Sequence, residues 1–394
     1  MDGLSARLQE RGYCRVAATE KLRLVGRMSL WLGAQQLGLD SLDREIVSRF
    51  LATCPPERIA RRGGRRTMHI LLEYLSDIGA VALAGREREA EEMTEIERLV
   101  SSFGRYLTEE RALSAATLQN YPPLARRFLE ERFPGEEPLP LAAISGGDIT
   151  AFVQRHARDL GAGRAKLMVT ALRSFFRFLR FRGDVTTDLA ACVPTVADWR
   201  LAGLPKYITA DEIERLLASC DRRTAVGARD FAILLLLSRL GLRAGEVAGL
   251  RLEHIDWANG EFSVRGKGGR CGRLPLPMDV GEAIAAYLRE GRPVCSCRQV
   301  FVRVRAPWVG FTTSGAVSDV VRHALQRAGL HPPHRGAHLL RHSVATHMLR
   351  QGAKLSEIGE LLRHRSPDTT AIYAKVDVAS LRRLAQPWPE VQGE

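Results

Sequence analysis

A break between Gly183 and Lys206 constrains this chain more than any other feature. The stretch GDVTTDLAACVPTVADWRLAGLPK mixes Gly, Pro and Thr and loses helical periodicity. Before it the pattern is almost entirely helical, and after it helices alternate with two short strand-like runs. One core cannot organise both, and at roughly 100–200 residues per domain a chain of 394 residues predicts two or three domains.

Upstream, a loose internal repeat sets residues 5–80 against 103–184. Ala17-Ala18-Thr19 with Leu22, Val25 and Leu32 echoes Ala115-Ala116-Thr117 with Leu118, Tyr121, Leu124 and Phe128. Val47 and Phe50 echo Ile149 and Phe152, and Leu75 with Gly79 echoes Leu179 with Gly183. Any two four-helix stretches share some such pattern, so duplication and chance likeness both stay open. The last helix, roughly 164–181, turns Leu172, Phe175, Phe176 and Leu179 toward a core. Arg173, Arg177 and Arg180 fall on another face; with Arg164 they are candidate phosphate contacts, against the alternative of a merely solvated face. The RRGGRR run at 61–66 reads as a flexible basic connector or, more sharply, a backbone clamp.

Downstream, Thr209 followed by Glu212 forms a capping box that opens a C-terminal unit near Leu204. ARDFAILLLLSRLGL is a buried helix ending at Gly241, and AGEVAGLRL continues as a second. EFSV and GRLPLP form a hairpin whose Gly-rich turn carries Lys267. VGEAIAAYLRE, SDVVRHALQRAG, AHLLRHSVATHMLRQG and LSEIGELLRH follow as helices. The fold class expected is mainly α with a small antiparallel β element.

Charge narrows the partner. The 58 Lys+Arg against 45 Asp+Glu leave a net charge of +13, which favours a polyanion, either nucleic acid or an anionic membrane surface. No run approaches the length a membrane span needs, and the N-terminus lacks the apolar segment of an export signal, so the cytoplasm is expected. The seven cysteines are scattered and odd in number, as reduced thiols are, and Cys295 with Cys297 lacks the second pair that zinc requires.

The chemistry concentrates between Val320 and Ser356, which holds no acidic residue but five arginines, one lysine and six of the ten histidines. His338 and Arg341 project from one helix face and can converge on one phosphate. His338, His342 and His347 raise the possibility of a metal, but the glutamate of a metalloprotease motif is missing and no carboxylate is near to orient an imidazole. No metal and no cofactor is expected. What remains is phosphoryl chemistry run by protein cations and a side-chain nucleophile, a tyrosine being one such.

Four blocks in order complete the pattern: GLRAGEVAGL at 241–250, GKGGR at 266–270, HLLRHSVATHML at 338–349 and LLRHRSPDTTAIYAKV at 361–376. Together they resemble the tyrosine recombinases, or phage-type integrases, over roughly 204–380. The 90–184 segment is similar to that family's SAM-like core-binding domain. The organisation implied is a helical N-terminal segment at 1–85, itself a possible divergent copy of the core-binding domain, then the core-binding domain at 90–184, a linker at 185–203 and a catalytic domain at 204–394.

The resemblance implies that Arg243 and Arg341 grip the scissile phosphate, their planar forks suiting two non-bridging oxygens. It makes Lys267 the general acid for the departing 5′ oxygen, His338 a group that hydrogen-bonds the phosphate and assists proton transfer, His364 the second such position, and Tyr373 the nucleophile. The surrounding cations are expected to favour the phenolate. Site-specific cleavage and rejoining through a 3′-phosphotyrosyl link would then need neither metal nor ATP. The partners implied are double-stranded DNA and a homotetramer in the synaptic complex, with room for accessory recombinases or DNA-bending proteins; the tail residues Leu381, Leu384 and Trp388 would pack on a neighbour. Whether the enzyme integrates, excises or transposes is left open. Competing readings are a type IB topoisomerase, a catalytically idle DNA-binding regulator on the same fold, and a metal-dependent nuclease.

Two departures from the family pattern stand close to the site. Arg363 occupies a position that is most often Gly, and Ala244-Gly245 replaces an aliphatic-Ser pair. Glu246 can pair with Arg243 three residues back and so buttress the fold.

Overall fold

A computed structural model describes residues 2–55, 63–81, 93–113, 115–196, 204–266, 271–311 and 313–376. It is mainly α with one small antiparallel sheet, the class expected. The chain divides into two compact units, 28–202 and 1–27 together with 203–394. The N-terminal stretch read as one segment from 1 to 85 therefore contributes to both. Among the described residues no helix is long and apolar enough to cross a membrane.

In the first unit the helices Glu95–Glu109, Tyr121–Arg132, Gly146–Ala157 and Ala162–Arg182 share an aromatic core. Phe128 meets Phe152 and Phe176 edge-on, each at 5.3 Å between ring centroids, and Phe103 meets Phe175 at 5.2 Å. Such tilted contacts put the positive ring edge on the negative face, which stabilises the packing beyond the area buried. Reciprocal capping boxes, Thr94 with Glu97 and Ser145 with Asp148, start two of these helices.

The linker begins later than its composition suggests. Val185, Leu189 and Val193 recur every four residues and are buried against the aromatic core, and the Arg173 guanidinium donates to the Val193 carbonyl at 2.9 Å.

The internal repeat has a structural counterpart in part. The Gly64–Asp77 helix buries Met68, Leu71, Leu72 and Leu75 and is followed by Gly79 at φ +68. The Ala162–Arg182 helix buries Leu172, Phe175, Phe176 and Leu179 and turns at Gly183, φ +85. With Leu75 laid on Leu179, the positions of Arg173, Arg177 and Arg180 carry His69, Glu73 and Ser76. The apolar face is alike, but the basic face is not.

The second unit is built around the Ala225–Leu240 helix, whose Ile233–Leu237 run is buried throughout. The helices Ala210–Ala218, Met278–Ala286, Ser314–Arg327 and Ala337–Arg350 pack around it. Thr209 and Glu212 cap the first of these as expected. The expected hairpin pairs strand β2 (Glu261–Arg265) with β3 (Cys271–Pro275), and the short β1 (Ile255–Asp256) adds to the β2 edge. The helix expected over AGEVAGLRL is shorter, Ala244–Ala248, because Leu250 leaves it and its carbonyl accepts from the Val300 N–H at 2.9 Å.

The N-terminal residues dock on this unit at one tight point. The Trp308 backbone N–H donates to the Arg11 carbonyl at 2.9 Å, and the indole covers Gly12 so closely that a Cβ there would lie 2.2 Å from ring atoms. Gly12 also has φ +83, a conformation that other residues adopt at a cost of about 1–3 kcal/mol. Gly12→Ala is therefore expected to release the Asp2–Glu10 helix. Amide exchange in that helix should accelerate while protection in the Ala225–Leu240 helix is kept; unchanged exchange in both would contradict this docking.

Candidate active site

The site is assembled where two helices end. Arg341, in the second turn of the Ala337–Arg350 helix, is buried, and its guanidinium donates to the Gly241 carbonyl at 2.6 Å and to the Leu362 carbonyl. Gly241 terminates the Ala225–Leu240 helix and Leu362 the Leu355–Leu361 helix. Both carbonyls lie at negative helix ends, where a cation is favoured. Gly241 has φ +57, and a Cβ there would sit 2.6 Å from Leu362 Cδ2, so glycine lets the two ends meet without backbone strain or displacement of that side chain.

Arg243 follows directly. Its backbone N–H donates to Glu246 Oε2 at 2.8 Å, its guanidinium to Glu246 Oε1 at 2.9 Å and to the Arg363 carbonyl at 3.1 Å. Arg363 closes the clasp from the other side, 2.7 Å from Glu246 Oε2. It stands at φ +52, which explains why glycine suits this position, and its ion pair with Glu246 offsets the strain. Burial alone would raise the Glu246 carboxyl; the Arg243 N–H and the Arg363 and Arg243 guanidinia outweigh it and hold the group below the ordinary carboxylate value.

Around this clasp stand the other expected residues. His338 opens to solvent from the first turn of its helix, and loss of hydration and then the charges of Arg341 and Arg243 lower its pKa. The His364 ring is half-buried, with Nδ1 2.7 Å from Thr370 Oγ1, and burial together with Arg341 and Arg243 brings it to about 4. Tyr373 is fully buried in the Ala371–Val376 turn, packed with Leu349, Ile358 and Leu362. Its hydroxyl lies 2.8 Å from His342 Nδ1. Arg243, His338, Arg341, His364 and Tyr373 thus share one neighbourhood, close enough for Arg341 to bear on the other four.

One electrostatic expectation is overturned. The cations do not make Tyr373 a phenolate here, because burial pushes its pKa up to about 12 and the opposing pull of Arg341 is the smaller effect. Arg341 itself is brought down to about 10 by burial and by Arg243, and stays charged at neutral pH.

Lys267 and the tail residues Leu381, Leu384 and Trp388 lie outside the described residues, as do Arg61 and Arg62 of the basic run. Of the basic face on the Ala162–Arg182 helix, Arg173 is bound to the Val193 carbonyl and Thr195, and Arg180 pairs with Asp188 at 3.4 Å. Arg164, Arg177 and Arg180 are exposed. His347 faces Tyr207 with ring centroids 6.4 Å apart and takes no part in the cluster.

Sequence reasoning passed over His342. It appeared only as a metal ligand to be rejected, although its spacing from His338 and Arg341 already put all three on one helix face.

With this geometry in hand, comparison with known proteins decides the family. Residues 206–380 match the phage integrase family, and residues 100–183 match the phage integrase N-terminal SAM-like domain. A Sinorhizobium fredii protein named as an integrase/recombinase is 44% identical over 97% of this chain and 92% of its own length. The chain belongs to the tyrosine recombinase, or phage integrase, family. Tyrosine recombinase XerD of Listeria monocytogenes is 31% identical over 72% of this chain and 96% of its own. In fold, the chain is similar to the XerH site-specific recombinase in a post-cleavage complex with palindromic difH substrate, with TM-score 0.57, 21% identity, and coverage of 74% of this chain and 85% of that one. It is likewise similar to a lambda integrase dimer on a COC′ core site, with TM-score 0.53, 20% identity, and coverage of 75% and 99%.

The Glu246 clasp yields a stability prediction. A carboxylate whose pKa is depressed on folding stabilises the protein above its unfolded pKa, and that contribution is lost as pH falls through the folded value. Glu246→Gln leaves two guanidinium groups facing a neutral amide and should cost about 3–5 kcal/mol at neutral pH. The gap to the unsubstituted protein should close as the pH falls below about 4. Denaturant melts across that range check it; a pH-independent gap would contradict the charged clasp.

Proposed function

We propose that this recombinase cleaves and rejoins duplex DNA at specific sites through a covalent 3′-phosphotyrosyl intermediate on Tyr373, without metal or ATP. Arg243 and Arg341 bind the non-bridging oxygens of the scissile phosphate. Of five N–H groups on each guanidinium, two are engaged with protein partners, which leaves donors for phosphate. His338 and His364 hydrogen-bond the same group, and Lys267 protonates the departing 5′ oxygen. As phosphorus becomes five-coordinate, the charge that builds on its oxygens is stabilised by cations already in place. Because the phosphodiester energy is kept in the tyrosyl ester, a second 5′-hydroxyl can displace the enzyme and complete strand exchange.

The observation that carries this reading is the gathering of Tyr373, His338, His364, Arg243 and Arg341 around one point from separate parts of the chain. The net charge of +13 supports a nucleic-acid partner. Arg164, Arg177 and the ion-paired Arg180 are the exposed candidates for phosphate contacts on the core-binding domain. The neighbours of similar fold include a lambda integrase tetramer bound to a Holliday junction, which supports a tetrameric synaptic complex for this chain as well.

A nicked suicide duplex bearing the target site tests the proposal on a denaturing gel. The unsubstituted protein should accumulate a covalent adduct, with or without EDTA, and exchange strands between two duplexes. Tyr373→Phe should form no adduct while its DNA affinity stays within a few-fold, since no positive charge is lost. An adduct from Tyr373→Phe, or cleavage abolished by EDTA, would overturn it; relaxation without exchange would point to a topoisomerase.

A further inference from the structure

The cleavage reading requires a destination for the phenolic proton, and the geometry bears on which histidine provides it. Tyr373 must shed its phenolic hydrogen as it attacks, and among the described residues neither histidine assigned to the phosphate is hydrogen-bonded to its hydroxyl. His364 is tied through Nδ1 to Thr370. His338 lies beside His342, with 6.4 Å between their ring centroids. Among the described residues the single hydrogen-bond partner of the Tyr373 hydroxyl is His342 Nδ1, at 2.8 Å.

We propose that His342 is a catalytic residue, the general base that takes the Tyr373 proton during strand cleavage and returns it during rejoining. The inference rests on the cleavage reading above. In the forward step the Tyr373 oxygen–phosphorus bond forms and the bond from phosphorus to the 5′ oxygen breaks. The phenolic proton moves to His342 Nδ1, and the 5′ oxygen takes a proton from the acid assigned to Lys267. Rejoining runs the same transfers backward, with the imidazolium of His342 protonating the departing phenol.

The surroundings suit that role. His342 is half-buried, and the groups facing it are His338 and Arg341 on its own helix, His334 from the preceding loop, His364 after the Leu355–Leu361 helix and Tyr373 from the turn that follows. Burial first, then the neighbouring charges, hold its pKa down to about 4, so the ring is neutral and free to accept. A bound phosphate brings negative charge against the same cations and raises the imidazole toward its ordinary value when the proton arrives. The helix turn that carries it is tied down: the adjacent Ser343 hydroxyl donates to the Leu339 carbonyl at 3.0 Å and accepts from the Ile208 N–H at 3.0 Å.

The experiment uses the full chain and two suicide duplexes, one with the natural 5′ oxygen and one with sulfur in its place, a leaving group that needs no acid. His342→Asn puts an amide near the position of Nδ1, keeping a hydrogen bond but unable to hold the proton; His342→Gln is a second variant should the first fold poorly. The adduct-forming rate should fall about 10²–10⁴-fold on both duplexes, with DNA affinity within a few-fold. Lys267→Ala, by contrast, should recover on the sulfur duplex. A more acidic, ring-fluorinated tyrosine at position 373 should then speed the His342 variant more than the unsubstituted protein. Rates within about threefold of the unsubstituted protein on both duplexes, recovery on sulfur, or no added gain from fluorination would each overturn the proposal. No adduct from the unsubstituted protein would instead overturn the cleavage reading beneath it.

Discussion

The site depends on a buried guanidinium lodged between two helix ends. Arg341 satisfies the last carbonyls of the Ala225–Leu240 and Leu355–Leu361 helices, and those carbonyls in turn make a charged side chain tolerable where little water reaches. Without it, two negative helix ends would meet unpaired. Gly241 lets them share it without backbone strain or displacement of the Leu362 side chain. A residue assigned to phosphate chemistry thus also fastens the element that brings Tyr373 into the cluster, so architecture and chemistry cannot be separated at this position.

A second consequence is the balance between charge and burial. Six arginine and histidine groups crowd one neighbourhood, and among the described residues the carboxylate shared by two of the arginines is Glu246. The surplus of positive charge prepares the site for an anion, as the depressed histidines and Arg341 record. Yet Tyr373 is held neutral by its apolar surroundings, bonded to a neutral imidazole. Under the proposed chemistry, the protein as it stands holds Tyr373, its proposed nucleophile, in an unreactive form. An arriving phosphate would supply the missing negative charge and alter that balance.

How much of this could be read beforehand follows from the kind of interaction involved. The buried helix ending at Gly241, the hairpin and the face shared by His338 and Arg341 were legible because periodicity and turn chemistry are local. The four blocks located the neighbourhood of Arg243, Arg341, His364 and Tyr373, since their order is a property of the chain. What stayed hidden was set by distant contacts. Arg363 looked like an irregularity until its ion pair with Glu246, 2.7 Å across the site, accounted for a left-handed residue bearing a side chain. The pKa of Tyr373 was misjudged because cations can be counted in a sequence whereas burial cannot. The docking of Gly12 beneath Trp308 left no pattern at all, being one contact between residues far apart in the chain.

The central claim is that the hydroxyl of Tyr373 becomes joined to DNA. The most direct measurement is to digest the trapped protein–DNA complex and locate the attachment by mass spectrometry. The account predicts a nucleotide carried through its 3′ phosphate on the peptide containing Tyr373. Attachment through a 5′ phosphate, or to any other residue, would contradict it.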